Sequence, residues 1–235
     1  MTSGKCIYNK DNLRLRQFVI EDTDFIVQLN RDARVTECLL EGKLLSSKFL
    51  AQYFVNDVIS RYQDDEGLGS WIAERREASG EWSVQGWFNL SVVPDDVLID
   101  GDQKQTKEPH NMVELGSRLA RVAWGSRLST QLGQALLDRA FNKLQLPRVL
   151  IHCAPDNRSA IYCSAYLGFE HPKYVNYFGK DTLQYQLSAE RFKQWGQIPL
   201  KEKRSRALSA AKTKFTAESP DTKTNSPQLA EENAG

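Results

Sequence analysis

Apolar residues recur every second position in some stretches and every third or fourth in others, and these two rhythms divide the chain into elements. Leu13 and Leu15 alternate with Arg14 and Arg16, so residues 13–19 are expected to form a strand. Glu21-Asp22-Thr23-Asp24 then offers side-chain oxygens and acidic charge suited to a helix start. That helix should run to about Asn30 and bury Phe25, Ile26 and Leu29. A second helix is expected from Ser46-Ser47, with Phe49, Leu50, Tyr53, Phe54, Val58 and Tyr62 at helical spacing. Residues 70–74 and 84–92 read as a hairpin around Ser79-Gly80. The stretch 94–110 is polar apart from Val97-Leu98-Ile99, which is long for a loop inside a domain. Met112–Leu119 reads as the next strand.

The second half is more regular. Ser129–Leu144 carries the helical stripe Leu132, Ala135, Leu136, Ala140, Leu144. Arg148–Ala154 is a strand built on Val149-Leu150-Ile151. Asn157–Leu167 is a helix, capped by Asp156 or Asn157 and ended by Gly168. Residues 169–177 and 182–187 read as closing strands, and Ser188 is placed to cap a short helix carrying Phe192 and Trp195. The expected order is β-α-α-β-β-β-α-β-α-β-β. It describes an α/β domain with a mixed, mostly antiparallel sheet and at least one right-handed parallel crossover.

Composition sharpens the boundaries. The 235 residues are 40% hydrophobic and 26% charged, with a net charge of +1, as in an ordinary globular protein. Residues 196–235 hold seven Lys/Arg, five Asp/Glu and only five large apolar side chains. The expected organisation is therefore a polar N-terminal extension over 1–11, a domain over 12–195, the two together of net charge −1, and a basic, polar tail over 196–235, disordered from about residue 200. Lys201–Phe215, with six bases and one acid, is expected to be solvated chain without a specific partner; a transient helix on an acidic partner and a nucleic-acid or ribosome contact are the alternatives.

Several classes drop out. No run approaches the roughly 18 apolar residues of a membrane span, so no membrane partner is expected. Met1–Asn12 lacks an apolar signal core. Cys6, Cys38, Cys153 and Cys163 show neither a C-x-x-C pair nor metal-ligand spacing, and the three histidines, His110, His152 and His171, are dispersed. Reduced thiols, no metal and a cytoplasmic location are the expectation. The sequence sets no oligomeric state.

The chemistry resides in an ordered set of short motifs. Val113-Glu114-Leu115-Gly116 is followed by Trp124-Gly125-Ser126-Arg127-Leu128-Ser129-Thr130-Gln131 at a helix start, then by Ala154-Pro155-Asp156-Asn157 and Gly168-Phe169. This layout resembles the GNAT superfamily of N-acetyltransferases, in particular the branch of the ribosomal-protein N-terminal acetyltransferases. The resemblance covers roughly 12–190 and is strongest over 111–170. It implies a GNAT-like acyl-CoA N-acyltransferase fold, with acetyl-CoA as co-substrate and an amine, a protein N-terminus or a small molecule, as acceptor. It further implies direct transfer in a ternary complex. The cofactor-binding residues would be Leu115, Gly116, Trp124, Gly125, Ser126, Arg127, Leu128, Ser129, Thr130 and Asn157. A helix N-terminus suits pyrophosphate because its first N–H groups are unpaired and its dipole end is positive.

Two departures matter. Arg127 stands where the family has the second glycine of its phosphate loop; its side chain either obstructs the loop or pairs with phosphate. Ala160 replaces a family Ser, and Ser164 stands where relatives carry a Tyr that protonates the leaving thiolate. The catalytic candidates are Glu114 as base, Ser164 as acid and Asn157 near the thioester, with His152 on the facing strand as a second base and a water relay as a third route. Cap, packing and surface-charge roles stand beside these for Asn157, Ser164 and Glu114. The rival function is a catalytically degraded binding or regulatory protein acting through its loops or tail. The 94–110 loop and residues 31–47 are expected to set acceptor selectivity.

Overall fold

Backbone hydrogen bonding joins eight strands into one sheet in the computed structural model, which describes residues 4–37, 39, 45–63, 67–93 and 112–214. The strands are β1 (Cys6–Lys10), β2 (Leu13–Arg16), β3 (Gly69–Arg76), β4 (Trp82–Val92), β5 (Val113–Leu119), β6 (Arg148–Cys153), β7 (Glu170–Tyr177) and β8 (Lys180–Ser188). Their order is β1-β2-β3-β4-β5-β6-β8-β7, antiparallel except between β5 and β6. The helices are α1 (Thr23–Arg31), α2 (Ala33–Thr36), α3 (Lys48–Arg61), α4 (Leu128–Asp138), α5 (Arg158–Leu167), α6 (Ala189–Gly196) and α7 (Leu200–Lys212). A π turn, Arg139–Lys143, extends α4. The sheet separates two cores. Leu15, Trp71, Phe88 and Leu115 pack with α4 and α5 on one face; Phe18, Ile72 and Trp87 pack with α1 and α3 on the other.

A buried ionic network fixes the entry to α1. Both Arg16 terminal nitrogens donate to Asp22, each at 2.7 Å, and Arg16 Nε donates to Glu74 Oε1 at 3.1 Å. Asp22 also accepts the Val19 N–H at 2.9 Å. Burial would lower the Arg16 pKa, but its bonds and charge pairing with Asp22 and Glu74 outweigh that and raise it. Removing one partner of such a set costs about 3–5 kcal/mol, because a buried charge is left unpaired.

The structure corrects the sequence reading in three places. The N-terminal extension is not merely polar chain: Asp11 takes a left-handed φ of 57°, and the resulting turn lets β1 pair with β2. The second helix is rotated from its expected face. Ala51, Val55 and Val58 are buried, whereas Phe49 and Tyr53 are exposed. The small Ala51 side chain permits close approach, and Phe54 at the edge meets Phe18 and Trp87 with ring centroids 5.9 and 5.5 Å apart. Third, the tail does not begin at 196–200. Residues 200–212 form α7 against α5, with Ala207 buried and Ala210 packed on the core. Small alanines bury little area each, so hydropathy alone hid this face. Trp195 adds a platform for the Arg191, Lys203 and Arg206 cations. The 94–110 loop and residues 215–235 lie outside the described residues. No described helix is long and apolar enough to cross a membrane.

Ala207→Asp should destabilise the protein by about 3 kcal/mol, because it buries a carboxylate. Thermal unfolding should show Tm lowered by about 6–12 °C; a disordered 200–212 would leave Tm unchanged.

Candidate active site

Among the described residues the one parallel seam in the sheet is brief. β5 and β6 pair at Val113–Val149 and Glu114–Leu150, and from Leu115 and Ile151 onward the two share no ladder pair. β5 continues along β4 to Leu119, and β6 continues along β8 to Cys153. The strands therefore part, leaving a split whose inner edges carry backbone N–H and C=O groups for water or a ligand.

At the far end of β5 the chain turns through Arg121–Ala123 into the start of α4. Gly125 has φ +71°, and a Cβ added there would meet nothing within 4 Å. Arg127 is the N-cap of α4 and adopts φ 64°, ψ 5°. This is the left-handed conformation that glycine takes readily. Its side chain is exposed and makes no cap hydrogen bond, so the loop keeps a glycine-like backbone without glycine. Gln131 N–H closes the first helical bond, to Arg127 O at 3.0 Å, which leaves the N–H groups of residues 128–130 without an intrahelical acceptor.

The other loop residues divide by role. Leu115 and Leu128 are buried in the core, so only their backbones can serve a ligand. The Thr130 hydroxyl donates to Arg127 O at 2.9 Å. Ser129 adjoins the Cys163 thiol, while the Thr130 hydroxyl is already spent on the loop backbone. Trp124 is half-exposed, and its indole N–H donates to Leu119 O at 3.0 Å, holding the ring beside the loop. Arg75, from β3, was not anticipated: its Nη2 donates to Ser126 Oγ at 2.7 Å and brings a second cation to this end. Nothing local in the sequence pointed to it, since 51 residues separate the partners.

Glu114, His152 and two further side chains meet at the root of the split. Glu114 alternates with the core residues Val113 and Leu115 and so faces the α1/α3 side of the sheet. Its Oε2 lies 3.0 Å from His152 Nδ1 and accepts the Tyr177 hydroxyl at 2.8 Å. Gln184, directly opposite His152 in the ladder, places its Nε2 3.0 Å from His152 Nε2. The His152 and Tyr177 rings stack at 4.1 Å. Beside them on β4, Ser91 lies opposite Glu114 and Asn89 opposite Gly116. A Cβ on Gly116 would come within 2.2 Å of Asn89 Oδ1, so the missing side chain admits that amide. Tyr177 and Gln184 escaped the sequence reading because only strand register puts them on the face of Glu114.

Two candidates are occupied elsewhere. Asn157 Oδ1 caps α5 by accepting the Ala160 N–H at 3.0 Å. Ser164 is buried and donates its hydroxyl to Ala160 O at 2.9 Å, back-bonding within its own helix. Burial pushes the Cys153 thiol up to about 12 and that of Cys163 to about 11, Ser129 opposing the latter. Both are therefore poor nucleophiles at neutral pH; Cys38 lies outside the described residues. Among the described residues no cluster of His, Cys, Asp or Glu is suited to a metal ion.

Residues 12–170 match the model of the acetyltransferase (GNAT) domain. The chain belongs to the GNAT acetyltransferase family. A curated relative, the uncharacterized protein YkkB of Bacillus subtilis, is 25% identical over 126 residues, spanning 54% of this chain and 64% of YkkB. Similar solved structures include a GNAT-family acetyltransferase from Bacillus anthracis, with TM-score 0.59, 15% identity, and coverage of 80% of this chain and 99% of that one. The ribosomal L7/L12 alpha-N-protein acetyltransferase RimL, solved with coenzyme A, aligns at TM-score 0.61 and 15% identity over 78% of this chain and 98% of its own. The ribosomal-protein-S5-alanine acetyltransferase of Vibrio fischeri aligns at 0.59 and 13% identity, covering 81% and 98%. At these identities the structures establish the shared GNAT fold.

The left-handed backbone at Arg127 makes a stability prediction. Arg127→Gly should be neutral or stabilising, whereas the β-branched Arg127→Val should cost about 1–2 kcal/mol. Thermal unfolding should separate them, with Tm lowered by about 2–8 °C in the valine variant alone.

Proposed function

We propose that the protein transfers an acetyl group from acetyl-CoA to a primary amine directly, in a ternary complex. The observation that carries this reading is the split that opens just beyond Glu114, together with an uncapped helix N-terminus at the far end of the same strand. An anion at α4 would meet the N–H groups of residues 128–130, the open backbone at Gly125 and the Arg127 and Arg75 cations. The edge of β5 from Leu115 offers backbone groups to an extended amide-bearing arm.

The rest follows from charge. An amine acceptor arrives as an ammonium and must lose a proton before it attacks. Glu114 is the acidic group at the root of the split. Its side chain is 15% exposed, and among the described residues Oε1 has no hydrogen-bond partner. Glu114 takes that proton, the free amine attacks the thioester carbonyl, and β5 N–H groups stabilise the developing oxyanion. The C–S bond then breaks, the sulfur leaves as a thiolate, and the second amine proton passes from the nitrogen to that thiolate or to solvent. Ser164 is assigned no part in this step, since its hydroxyl serves its own helix. The buried, protonated Cys153 and Cys163 favour direct attack over an acyl-cysteine intermediate. The glycine-like backbone at Arg127 favours an intact phosphate seat over a degraded one.

The acceptor enters from the α1/α3 face. There Lys180 Nζ donates to Leu39 O at 2.8 Å, joining the β7–β8 turn to the chain after α2. Residues 31–47 and the 94–110 loop are the proposed determinants of acceptor choice. The ribosomal-protein acetyltransferases among the similar structures support a protein N-terminus as the first acceptor to try.

Glu114→Gln keeps shape and removes the base. Thiol release from acetyl-CoA should show kcat lowered about 100- to 1,000-fold, with KM for acetyl-CoA within about twofold. Unchanged kcat would remove Glu114 from the chemistry.

A further inference from the structure

Resting on Glu114 as the proton acceptor, we propose that His152, Tyr177 and Gln184 are positioning residues that clamp one oxygen of its carboxylate and leave the other for the substrate. The four side chains come from four strands, β5, β6, β7 and β8, and converge through hydrogen bonds of 2.8–3.0 Å.

Gln184 sets the state of the imidazole. An amide nitrogen only donates, so His152 Nε2 accepts from Gln184 and must be bare. The ring proton then sits on Nδ1 and points at Glu114 Oε2, 3.0 Å away. Tyr177 donates to the same oxygen at 2.8 Å. Two donors on Oε2 fix the carboxylate plane. Oε1 then remains for the acceptor, with no hydrogen-bond partner among the described residues.

The reverse tautomer fails on geometry. With the amide turned over, Nε2 would carry the proton and a bare Nδ1 would face Oε2, two lone pairs 3.0 Å apart. Only a protonated ring would tolerate that rotation. Stacking on Tyr177 at 4.1 Å and 19° between planes holds the ring against turning. The His152 side chain is 2% exposed, and both its nitrogens are engaged. It therefore orients the base and is not itself the base.

The experiment uses the full chain labelled with nitrogen-15 histidine, whose three rings give a sparse spectrum. Near neutral pH, His152 should show a protonated Nδ1 and a bare Nε2. The opposite tautomer, or an imidazolium, overturns the clamp. Gln184→Met removes the donor at similar volume. It should leave Nε2 without a donor, shift the Nε2 resonance and lower kcat about tenfold, the worth of one hydrogen bond, with KM for acetyl-CoA within about twofold. Gln184→Glu replaces the donor with an acceptor and should hold His152 as an imidazolium to higher pH. A Gln184→Met protein with an unchanged Nε2 resonance and unchanged kcat refutes the proposal. The ring spectrum requires no turnover, which separates the two readings. An active protein with the wrong tautomer defeats the clamp alone, and an inactive protein with the expected tautomer defeats the acetyl-transfer reading alone.

Discussion

Two residue pairs of parallel sheet govern the geometry of this protein. β5 and β6 join at Val113–Val149 and Glu114–Leu150, then diverge because each follows its antiparallel neighbour. Backbone groups on the diverging edges must find partners, and a slot between two rigid strands is well suited to an extended ligand that carries amides of its own. The same divergence explains why the last paired residue on β5 matters. Glu114 is held by a ladder on both sides, yet its side chain stands where the gap begins.

The two ends of the split have opposite chemistry. Beyond the end of β5 are left-handed turns, an uncapped helix and the Arg75 and Arg127 cations, an arrangement that attracts phosphate. At the root are one carboxylate and a set of donors fastened to it. An acyl donor with a phosphate tail and a thioester head, meeting an ammonium acceptor, matches this polarity from end to end. Membership of the GNAT acetyltransferase family agrees with acetyl transfer.

Much of this was legible from residue order. The strand and helix rhythm located β3 to β8, and the motifs placed the turn into α4 and the cap of α5 at Asn157. What was hidden depended on long-range packing. Arg75 and Ser126 become neighbours only when β3 and the β5–α4 turn are folded together. The Glu114–His152 pair was seen as two rival bases, because their 3.0 Å contact is a matter of register. Helix α7 escaped because its buried face is built from Ala207 and Ala210, too small to register as an apolar stripe. At Arg127 the sequence left obstruction and phosphate pairing open, because the left-handed backbone beneath the side chain is not legible from residue type.

Isothermal titration of the full chain with acetyl-CoA tests the central claim most directly. The account predicts saturable binding of one acetyl-CoA per chain that weakens as salt is raised, because cations and helix N–H groups hold the phosphates. No heat of binding at millimolar acetyl-CoA, in low salt, would contradict it.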